Sequence, residues 1–389
     1  MNKINRRQSI QTIAAGAALM TLPHSLQAQT SSKEYWMFVG TYTSGDAGGI
    51  FTCKFNATDG SLSKTANSGG ITNPSFIALS PNHQYLYSVS EVSNFNGERS
   101  GGISAFKVDL QIGNLTPLNQ QSTKGQGPCY VTVDQTGKWV LAANYGSGNV
   151  CLLPVNEDGS LAWAARVHQH EGSSVNPSRQ SGPHAHCIVI SPDNKYAFSA
   201  DLGTDSIFGY ELDLVKGELI PLDPVKTKPG SGPRHFAFHP NNKLAFSIQE
   251  LDSTITSYQY EAEFGFLTSV QTVSSLPVGY SAANSCADIH VHPNGKFVYG
   301  SNRGHDTIVI YAVNEETGEM TPVQHESTRG ETPRNFAIDP TGEFLLAENQ
   351  KSNTIHVFRI DGETGLLTHT GNELEIPSPV CIQFAPVVS

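Results

Sequence analysis

Hydrophobic and polar positions follow one repeated unit along most of the chain: an apolar run, a turn rich in Pro, Asn, Asp and Gly, and a second apolar run. FIALSPNHQYLYSV, CIVISPDNKYAFSA and DIHVHPNGKFVYGS are three of its copies. The turns fall at Pro81, Gln135, Pro192, Pro240, Pro293 and Pro340, and a last apolar run, CIQFAP, ends at Pro386. Apolar runs of this length that are joined by such turns predict β-hairpins.

A second pattern with the same period gives the number of strands in each repeat. It is an apolar run that ends in a Gly-containing turn, usually followed by leucine, as in NVCLLPVNEDGSL, SIFGYELDLVKGEL and TIHVFRIDGETGLL. Each unit therefore carries four short strands, and four strands repeated every ~50 residues are typical of propeller blades. The sequence predicts an all-β fold, a seven-bladed β-propeller with four antiparallel strands per blade.

The two ends of the chain are predicted to close one blade. The last repeat has its first strand, Val380–Pro386, but no second strand, and the early run YWMFVGTY matches the second strand of the other repeats. Pairing the N-terminal and C-terminal strands would close the ring and remove exposed sheet edges. Residues 29–389 are therefore expected to form one propeller domain.

The first 28 residues have the layout of an export signal. Lys3, Arg6 and Arg7 precede an uncharged stretch that is too short to span a bilayer, and Ala28 is a suitable last residue before cleavage. The Arg6-Arg7 pair favours a twin-arginine signal, and a Sec signal with two ordinary arginines is the alternative. We expect residues 1–28 to be a signal peptide and the mature protein to be periplasmic, without membrane insertion.

Composition narrows the classes of partner. The formal net charge of −11 argues against a general binder of nucleic acid, so we expect no nucleic-acid partner. A small-molecule substrate and a monomer are expected as well. The six cysteines form no CxxC pair and mostly lie in apolar runs. We therefore expect mostly buried thiols, although some could pair in an oxidising compartment.

The repeats also predict where reactive groups converge. With each turn position as zero, the first strand begins near −6 and the second ends near +10, at the same end of the blade. Because first strands line the central channel of a propeller, these positions surround one mouth. Position −6 holds Ser75, Cys129, His186, Arg234, Ala287, Arg334 and Val380, and position +10 holds Glu91, Tyr145, Leu202, Glu250, Arg303 and Gln350. Close by, we expect His184, His235, Asp288, His290 and His305.

Each of these residues also has a structural interpretation. An arginine could brace neighbouring blades through a carboxylate, as Arg234 could with Glu250, and His235 and His290 are expected to be structural. The polar residues at +9 are expected to cap the turn into the third strand; they are Asn144, Asp201, Asn302 and Asn349. Charged residues make up only 15% of the chain, so their concentration at one mouth favours a functional site.

Four segments carry a resemblance to a known family: GPHAH (182–186), GPRHFAFHPNNKLAFSIQEL (232–251), DIHVHPNGKFVYGSNRGHDTIVIY (288–311) and TPRNFAIDPTGEFLLAENQKSNTI (332–355). The chain resembles the seven-bladed lactonases, which include bacterial 6-phosphogluconolactonase and the fungal enzyme that lactonises carboxymuconate. The resemblance covers essentially the whole chain after residue 28. In the fungal branch the proposed active site has one histidine, one glutamate and two arginines, and the resemblance implies that these are His186, Glu250, Arg234 and Arg303 here.

We therefore predict a hydrolase that opens the ring of a small sugar lactone. His186 or Glu250 is the expected general base, and Arg234 and Arg303 are expected to donate to the carbonyl oxygen, where the oxyanion develops, or to a substrate carboxylate. The expected substrate-binding residues are Arg334, His184, Glu91 and Tyr145. The family's phosphogluconolactonases are typically cytoplasmic, so the predicted export argues against a phosphorylated pathway intermediate as the substrate.

No cofactor is implied, because the sequence has neither a His/Cys zinc cluster nor a phosphate-cradling glycine loop. Three alternatives stay open. The first is a calcium-dependent lactonase site with oxygen ligands drawn from Glu91, Asn144, Asp201 or Asn302. The second is a cycloisomerase or lyase that acts on a related carboxylate or sugar. The third is a non-catalytic exported propeller that binds a partner or a glycan.

Overall fold

The computed structural model describes residues 33–43 and 48–388, and the predicted signal peptide lies outside them. Within these ranges the chain forms 29 β-strands and no helix. The strands build seven sheets of antiparallel neighbours, each with the strand order expected of a blade. The predicted seven-bladed propeller is confirmed.

The blade that closes the ring contains both ends of the described chain. From the channel outward, its strands are β29 (Pro379–Pro386), β1 (Glu34–Thr41), β2 (Ile50–Asn56) and β3 (Ser61–Ser68). The register pairs Tyr35 with Pro386 and Thr41 with Pro379. The N-terminal and C-terminal strands thus meet as the sequence predicts.

The other six blades follow in chain order, each from its inner to its outer strand. The second, third and fourth blades are β4 (Ile77–Leu79), β5 (Tyr85–Ser90), β6 (Gly102–Asp109) and β7 (Asn114–Ser122); β8 (Pro128–Val133), β9 (Trp139–Asn144), β10 (Asn149–Pro154) and β11 (Arg166–Gln169); and β12 (Val189–Ile190), β13 (Tyr196–Asp201), β14 (Ser206–Asp213) and β15 (Glu218–Pro221). In the fourth blade a short strand β16 (Val225–Lys226) also pairs with β14, so the outer strand is interrupted.

The last three blades are regular and contain four strands each. They are β17 (Pro233–Phe238), β18 (Leu244–Gln249), β19 (Thr254–Glu261) and β20 (Phe266–Ser274); β21 (Ser285–Val291), β22 (Phe297–Arg303), β23 (Thr307–Val313) and β24 (Met320–Ser327); and β25 (Pro333–Ile338), β26 (Phe344–Asn349), β27 (Thr354–Ile360) and β28 (Leu367–Glu375).

Apolar side chains from facing sheets form a separate core between each pair of neighbouring blades. Two tryptophans show how a blade is locked to the next one. Trp36 donates its indole N–H to the carbonyl of Leu110 at 2.8 Å, and a Cβ at Gly113 would lie 2.5 Å from its ring. Trp139 makes the equivalent bond to Leu214 at 3.1 Å. A buried indole of this kind stabilises the contact between two blades, and replacing the tryptophan with alanine costs about 3–5 kcal/mol.

The inner strands carry β-bulges beside the mouth. The register shifts between Pro128 and Tyr130, between Pro233 and His235, and between Pro333 and Asn335. The unpaired residues in these bulges are Cys129, Arg234 and Arg334. Because a bulge redirects one side chain out of the pleat, it can aim the two arginines at the mouth while the next residue lines the channel.

The channel beneath the mouth holds a cavity of about 320 Å³ that is lined by all seven inner strands. The rings of Phe76 and Tyr130 stack there at 4.1 Å, and the His235 ring meets that of Tyr130 edge-on at 5.4 Å. These three residues each follow a −6 position, so they lie directly below the mouth.

Two further predictions can be compared with the structure. All six cysteines are buried and carry free thiols, as predicted. Among the described residues there is no helix long and apolar enough to cross a membrane.

Candidate functional site

At the mouth, a backbone hydrogen bond joins the end of a blade's second strand to the segment that precedes its first strand. The N–H of Glu250 donates to the carbonyl of Gly232 at 2.7 Å, and the N–H of Tyr145 donates to that of Gly127 at 2.9 Å. Bonds of this kind place the −6 and +10 positions of a blade side by side. The structure thereby gathers at one mouth His186, Arg234, Arg334, Glu91, Tyr145, Glu250 and Arg303.

Glu250 is the centre of the larger cluster. It is only 5% exposed, and three guanidinium groups donate to its two carboxylate oxygens. Arg179 reaches Oε1 at 2.6 Å, while Arg234 and Arg303 reach Oε2 at 3.1 and 2.8 Å. Burial alone would raise the pKa of Glu250, but Arg303, Arg234 and Arg179 outweigh it and lower the pKa from 4.5 to about 2. Glu250 is therefore a carboxylate at any pH near neutral.

Backbone carbonyls of β21 hold two of these arginines in place. Arg303 donates to the carbonyl of Cys286 at 2.7 Å, and Arg234 donates to that of Ala287 at 2.6 Å. Burial, together with the charge of Arg234, lowers the pKa of Arg303 to about 10, which still leaves it charged at neutral pH. Within the described part of the chain, Nη2 of Arg234 and Nη1 of Arg303 have no partner. Both arginines therefore keep donors for a ligand.

Arg179 was missed by the sequence analysis. It lies in the connecting segment between β11 and β12, outside the repeated unit, and its side chain is 39% exposed. Nη2 of Arg179 also donates to the hydroxyl of Tyr145 at 3.2 Å. The one available signal was length, because the interval from Gln135 to Pro192 is the longest between successive turns.

A second cluster at the mouth is built around Glu91. The hydroxyls of Tyr42 and Ser75 both donate to Oε2 of Glu91, and Nη2 of Arg334 donates to the Tyr42 hydroxyl at 2.9 Å. Arg334 also lies over the Tyr42 ring at 4.9 Å. Tyr42 was missed, although it occupies the +10 position of the closing blade and follows directly from the YWMFVGTY match.

The two histidines of GPHAH lie beside Tyr145. The His184 ring stacks on the Tyr145 ring at 4.5 Å, and its Nδ1 donates to the Tyr145 carbonyl at 2.9 Å. The His186 ring meets the Tyr145 ring edge-on at 5.2 Å, and the side chain is buried. Burial first, and then the charge of Arg234, lower the pKa of His186 well below 6.5. The imidazole of His186 is therefore neutral at neutral pH.

Four more residues are expected close to the mouth, and three of them lie just below it. His235, Asp288 and His290 line the channel cavity, and His235 lies directly beneath Arg234. His305 packs edge-on against the Tyr280 ring at 4.6 Å and bonds to Thr307. The bulge at Arg234 explains the difference for His235, because it separates the directions of two adjacent side chains.

The polar residues at +9 do more than cap the turn into the third strand. Each of them bonds to the segment that follows the outer strand of the preceding blade: Asn144 to Thr123, Asp201 to His170, Asn302 to Ser275 and Asn349 to Thr328. Asp201 alone also accepts from a backbone N–H across its own turn, that of Thr204 at 3.0 Å. These side chains therefore join blades, and among the four only Asp201 shows the expected cap through a backbone N–H.

Those bonds also bear on the calcium alternative. Oδ1 of Asn302 accepts from Ser275 at 2.8 Å, and Oδ2 of Asp201 accepts from His170 at 2.7 Å. Asn144, Asp201 and Asn302 thus belong to three different blades. In the described ranges, no group of three or more His, Cys, Asp or Glu residues is placed to hold a metal ion.

The mouth therefore combines four guanidinium groups with two carboxyl groups and a neutral imidazole. Such an arrangement attracts anions and stabilises negative charge that develops on an oxygen during a reaction. Such a mouth in a seven-bladed propeller suits an enzyme that acts on carbonyl compounds.

Comparison with known proteins agrees with this class. The family described as "Lactonase, 7-bladed beta-propeller" matches residues 36–384. The 6-phosphogluconolactonase of Bacillus subtilis is 37% identical over 90% of this chain and 98% of its own length. That of Formosa agariphila is 38% identical over 78% of this chain and 86% of its own length. The chain belongs to the family of seven-bladed β-propeller lactonases, and the prediction of a lactonase is confirmed.

A solved structure extends the comparison to another member with a stated location. The structure described as the periplasmic gluconolactonase of Pseudomonas aeruginosa is 33% identical, covers 91% of this chain and 100% of that chain, and superposes with a TM-score of 0.85.

Proposed function

We propose that this lactonase hydrolyses the ring ester of a small, unphosphorylated sugar lactone at the mouth formed by Glu250 and its arginines. The observation that carries the proposal is the pair of guanidinium groups on one buried carboxylate oxygen, each with a nitrogen that has no partner among the described residues. An ester carbonyl placed there would meet two charged donors. Charge-assisted donors of this kind stabilise a developing oxyanion better than neutral ones.

Glu250 serves in this proposal as the anchor for the arginines. Three charged hydrogen bonds occupy its oxygens, and a pKa of about 2 makes it a weak base at neutral pH. Its negative charge also offsets part of the repulsion between Arg234 and Arg303. The carboxylate therefore keeps two like charges close together, where the oxyanion needs both.

His186 is the proposed general base. Its ring is neutral at neutral pH, and among the described residues Nε2 has no hydrogen-bond partner. Water adds to the carbonyl carbon while its proton passes to His186, and the negative charge moves to the carbonyl oxygen beside Arg234 and Arg303. The bond from that carbon to the ring oxygen then breaks, and His186 returns the proton to the ring oxygen. The product is an open-chain hydroxy acid.

The Glu91 cluster is proposed to bind the sugar hydroxyls. Arg334 and Tyr42 present donors, and the carboxylate of Glu91 is an acceptor, so hydroxyl groups can find both kinds of partner. Tyr145 and His184 offer a stacked pair of rings beside the His186 ring. This division leaves the reacting ester near Glu250 and the polyol chain near Glu91.

We also propose that the mature protein works in the periplasm. Arg6 and Arg7 support export, and the periplasmic gluconolactonase of Pseudomonas aeruginosa shows that a related propeller is described from that compartment. A periplasmic enzyme would meet unphosphorylated aldonolactones rather than phosphorylated intermediates.

The test is an assay of the mature protein with D-glucono-1,5-lactone and other aldonolactones in water enriched in ¹⁸O. Hydrolysis is measured as the acid released at constant pH. Enzyme-dependent acid release with one ¹⁸O in the product carboxylate is the expected result, with and without a chelator. Loss of activity with the chelator would favour a calcium site. If a related carboxylate is given as the substrate, its conversion by proton transfer without uptake of ¹⁸O would favour a cycloisomerase or lyase. No turnover of any lactone would favour a binding propeller.

A further inference from the structure

We propose that His235 and Asp288 are positioning residues for this reaction: they line the channel cavity, yet they hold Arg234 in its donating orientation from below the mouth. The inference rests on the proposed function, because Arg234 is there a donor to the oxyanion. It adds two residues that line the channel cavity: His235 contacts Arg234 and meets the His186 ring edge-on at 5.4 Å, and Asp288 acts through His235.

The first link is the bond between Arg234 and His235. Nη1 of Arg234 lies 3.1 Å from Nε2 of His235 and 2.6 Å from the carbonyl oxygen of Ala287. A guanidinium nitrogen only donates, so Nε2 of His235 must be the acceptor and cannot carry a proton. The two hydrogens of Nη1 are then both used, and Nε is directed at Glu250. Nη2 is the nitrogen left for the substrate.

The second link fixes the tautomer of His235. Its proton must be on Nδ1, which donates to Oδ1 of Asp288 at 2.6 Å. Asp288 is itself buried and held by other donors, among them Nε2 of His290 at 2.8 Å and the N–H of Ile289 at 3.0 Å. A carboxylate that accepts from one ring nitrogen sets which other nitrogen is free to accept, as happens for histidines that support metal ions or nucleophiles.

Charge and packing agree with this arrangement. Burial and the charge of Arg234 lower the pKa of His235 to about 4, so the ring stays neutral across the neutral range. The rings of Phe76 and Tyr130 meet the His235 ring edge-on at 6.0 and 5.4 Å, which restricts its rotation. A histidine needed only to fill space would not require an acceptor aimed at an arginine of the site.

Two amide variants separate positioning from packing. In His235→Gln the amide oxygen can take the place of Nε2 and accept from Arg234. In His235→Asn the shorter amide can replace Nδ1 and donate to Asp288, but it does not reach Arg234. We expect kcat on D-glucono-1,5-lactone to fall about tenfold in His235→Asn, the effect of one lost orienting hydrogen bond, with a smaller change in KM. His235→Gln should keep most of the wild-type kcat.

The matched control is His239→Gln. His239 is also buried and lies in the same blade, next to the turn at Pro240 and far from Arg234. Its Nε2 donates to the carbonyl of Gly295 at 2.7 Å. This variant should lower Tm and leave kcat and KM unchanged. Wild-type kcat in His235→Asn, or equal losses in the Asn and Gln variants, would overturn the inference. If His235→Asn does not fold, His235→Phe keeps the ring packing, loses the acceptor and carries the same expectation.

Crystal structures of the variants keep this inference separate from the proposed function. If the wild-type protein hydrolyses no lactone, the proposed function fails. The inference that His235 positions Arg234 is then tested only by where the Arg234 side chain lies in the crystal structures of the His235 variants. A guanidinium displaced from Glu250 in His235→Asn and restored in His235→Gln supports it. An Arg234 side chain that keeps its wild-type place in His235→Asn overturns it.

Discussion

Arg179 donates to Oε1 of Glu250 at 2.6 Å, although the two residues are 71 positions apart in the chain and only Glu250 belongs to a blade. Arg179 is also the most exposed of the three cations on this carboxylate, because Arg234 and Arg303 are largely enclosed. A solvent-facing guanidinium contributes less in its pair than an enclosed one, because water screens it. This difference leads to an ordered set of expectations for the three arginines.

The enclosed arginines should dominate the rate. Replacing Arg234 or Arg303 with alanine should cost about 2–4 kcal/mol of transition-state stabilisation, seen mainly as a lower kcat on an aldonolactone. Arg179→Ala should cost less. Arg329→Ala, which breaks an exposed pair with Glu326, is the control and should leave both constants unchanged. A rise in KM with normal kcat in Arg303→Ala would instead assign that side chain to ground-state binding.

Glu250 should make an acid-sensitive contribution to stability. Its folded-state pKa of about 2 lies below its usual 4.5, so its stabilising effect is fully present above about pH 4.5 and is lost as the pH falls toward 2. Glu250→Gln should lower the free energy of unfolding by about 3 kcal/mol near pH 6, because it leaves three cations without their anion. Urea unfolding should show that this difference shrinks near pH 3.

The control for that experiment is Glu343→Gln, which breaks an exposed pair with Arg359. It should cost no more than about 1 kcal/mol and show little dependence on pH. A Glu250→Gln protein as stable as wild type at both pH values would contradict the assigned charge of Glu250.

His186 should be needed for turnover much more than for folding. His186→Gln should lower kcat by about 10²–10⁴-fold, the usual contribution of a general base, while Tm changes little. Because the pKa of His186 lies well below 6.5, the wild-type kcat/KM should stay level from about pH 8 to about pH 6. A His186→Gln enzyme with normal kcat would remove this residue from the mechanism, and an acidic limb near pH 6.5 that vanishes in the variant would contradict its lowered pKa.

Export should depend on the arginine pair. Replacing Arg6 and Arg7 with lysine together should leave the precursor in the cytoplasm, since the twin-arginine route requires both guanidinium groups. Cell fractionation with an antibody to the mature domain measures this. Unchanged export of the double variant would indicate the Sec route and would leave the periplasmic location in place.

The repeats made most of the fold predictable, because seven copies of one hydrophobic pattern leave few alternatives. They also located Glu250 and Arg303, since these residues lie at the same step of successive blades. Arg179 could not be located in this way, because its segment lies outside the repeat and only tertiary packing brings it to Glu250. Tyr42 could have been located, because β1 continues the same register.

Side-chain direction at the bulges was not predictable from spacing. An unbroken strand would send Arg234 and the residue after His235 to the same side, and the pattern does not show that the register shifts between Pro233 and His235.

The most direct measurement of the central claim is a crystal structure of the mature protein with an aldonate, the expected product. The account predicts that the carboxylate lies within hydrogen-bond distance of Arg234 and Arg303, with a hydroxyl group near Arg334 and Glu91. His186 should face the carboxylate carbon. Aldonate bound only in the channel cavity or on the outer strands, with the mouth free of ligand, would contradict the assignment of this mouth as the lactonase site.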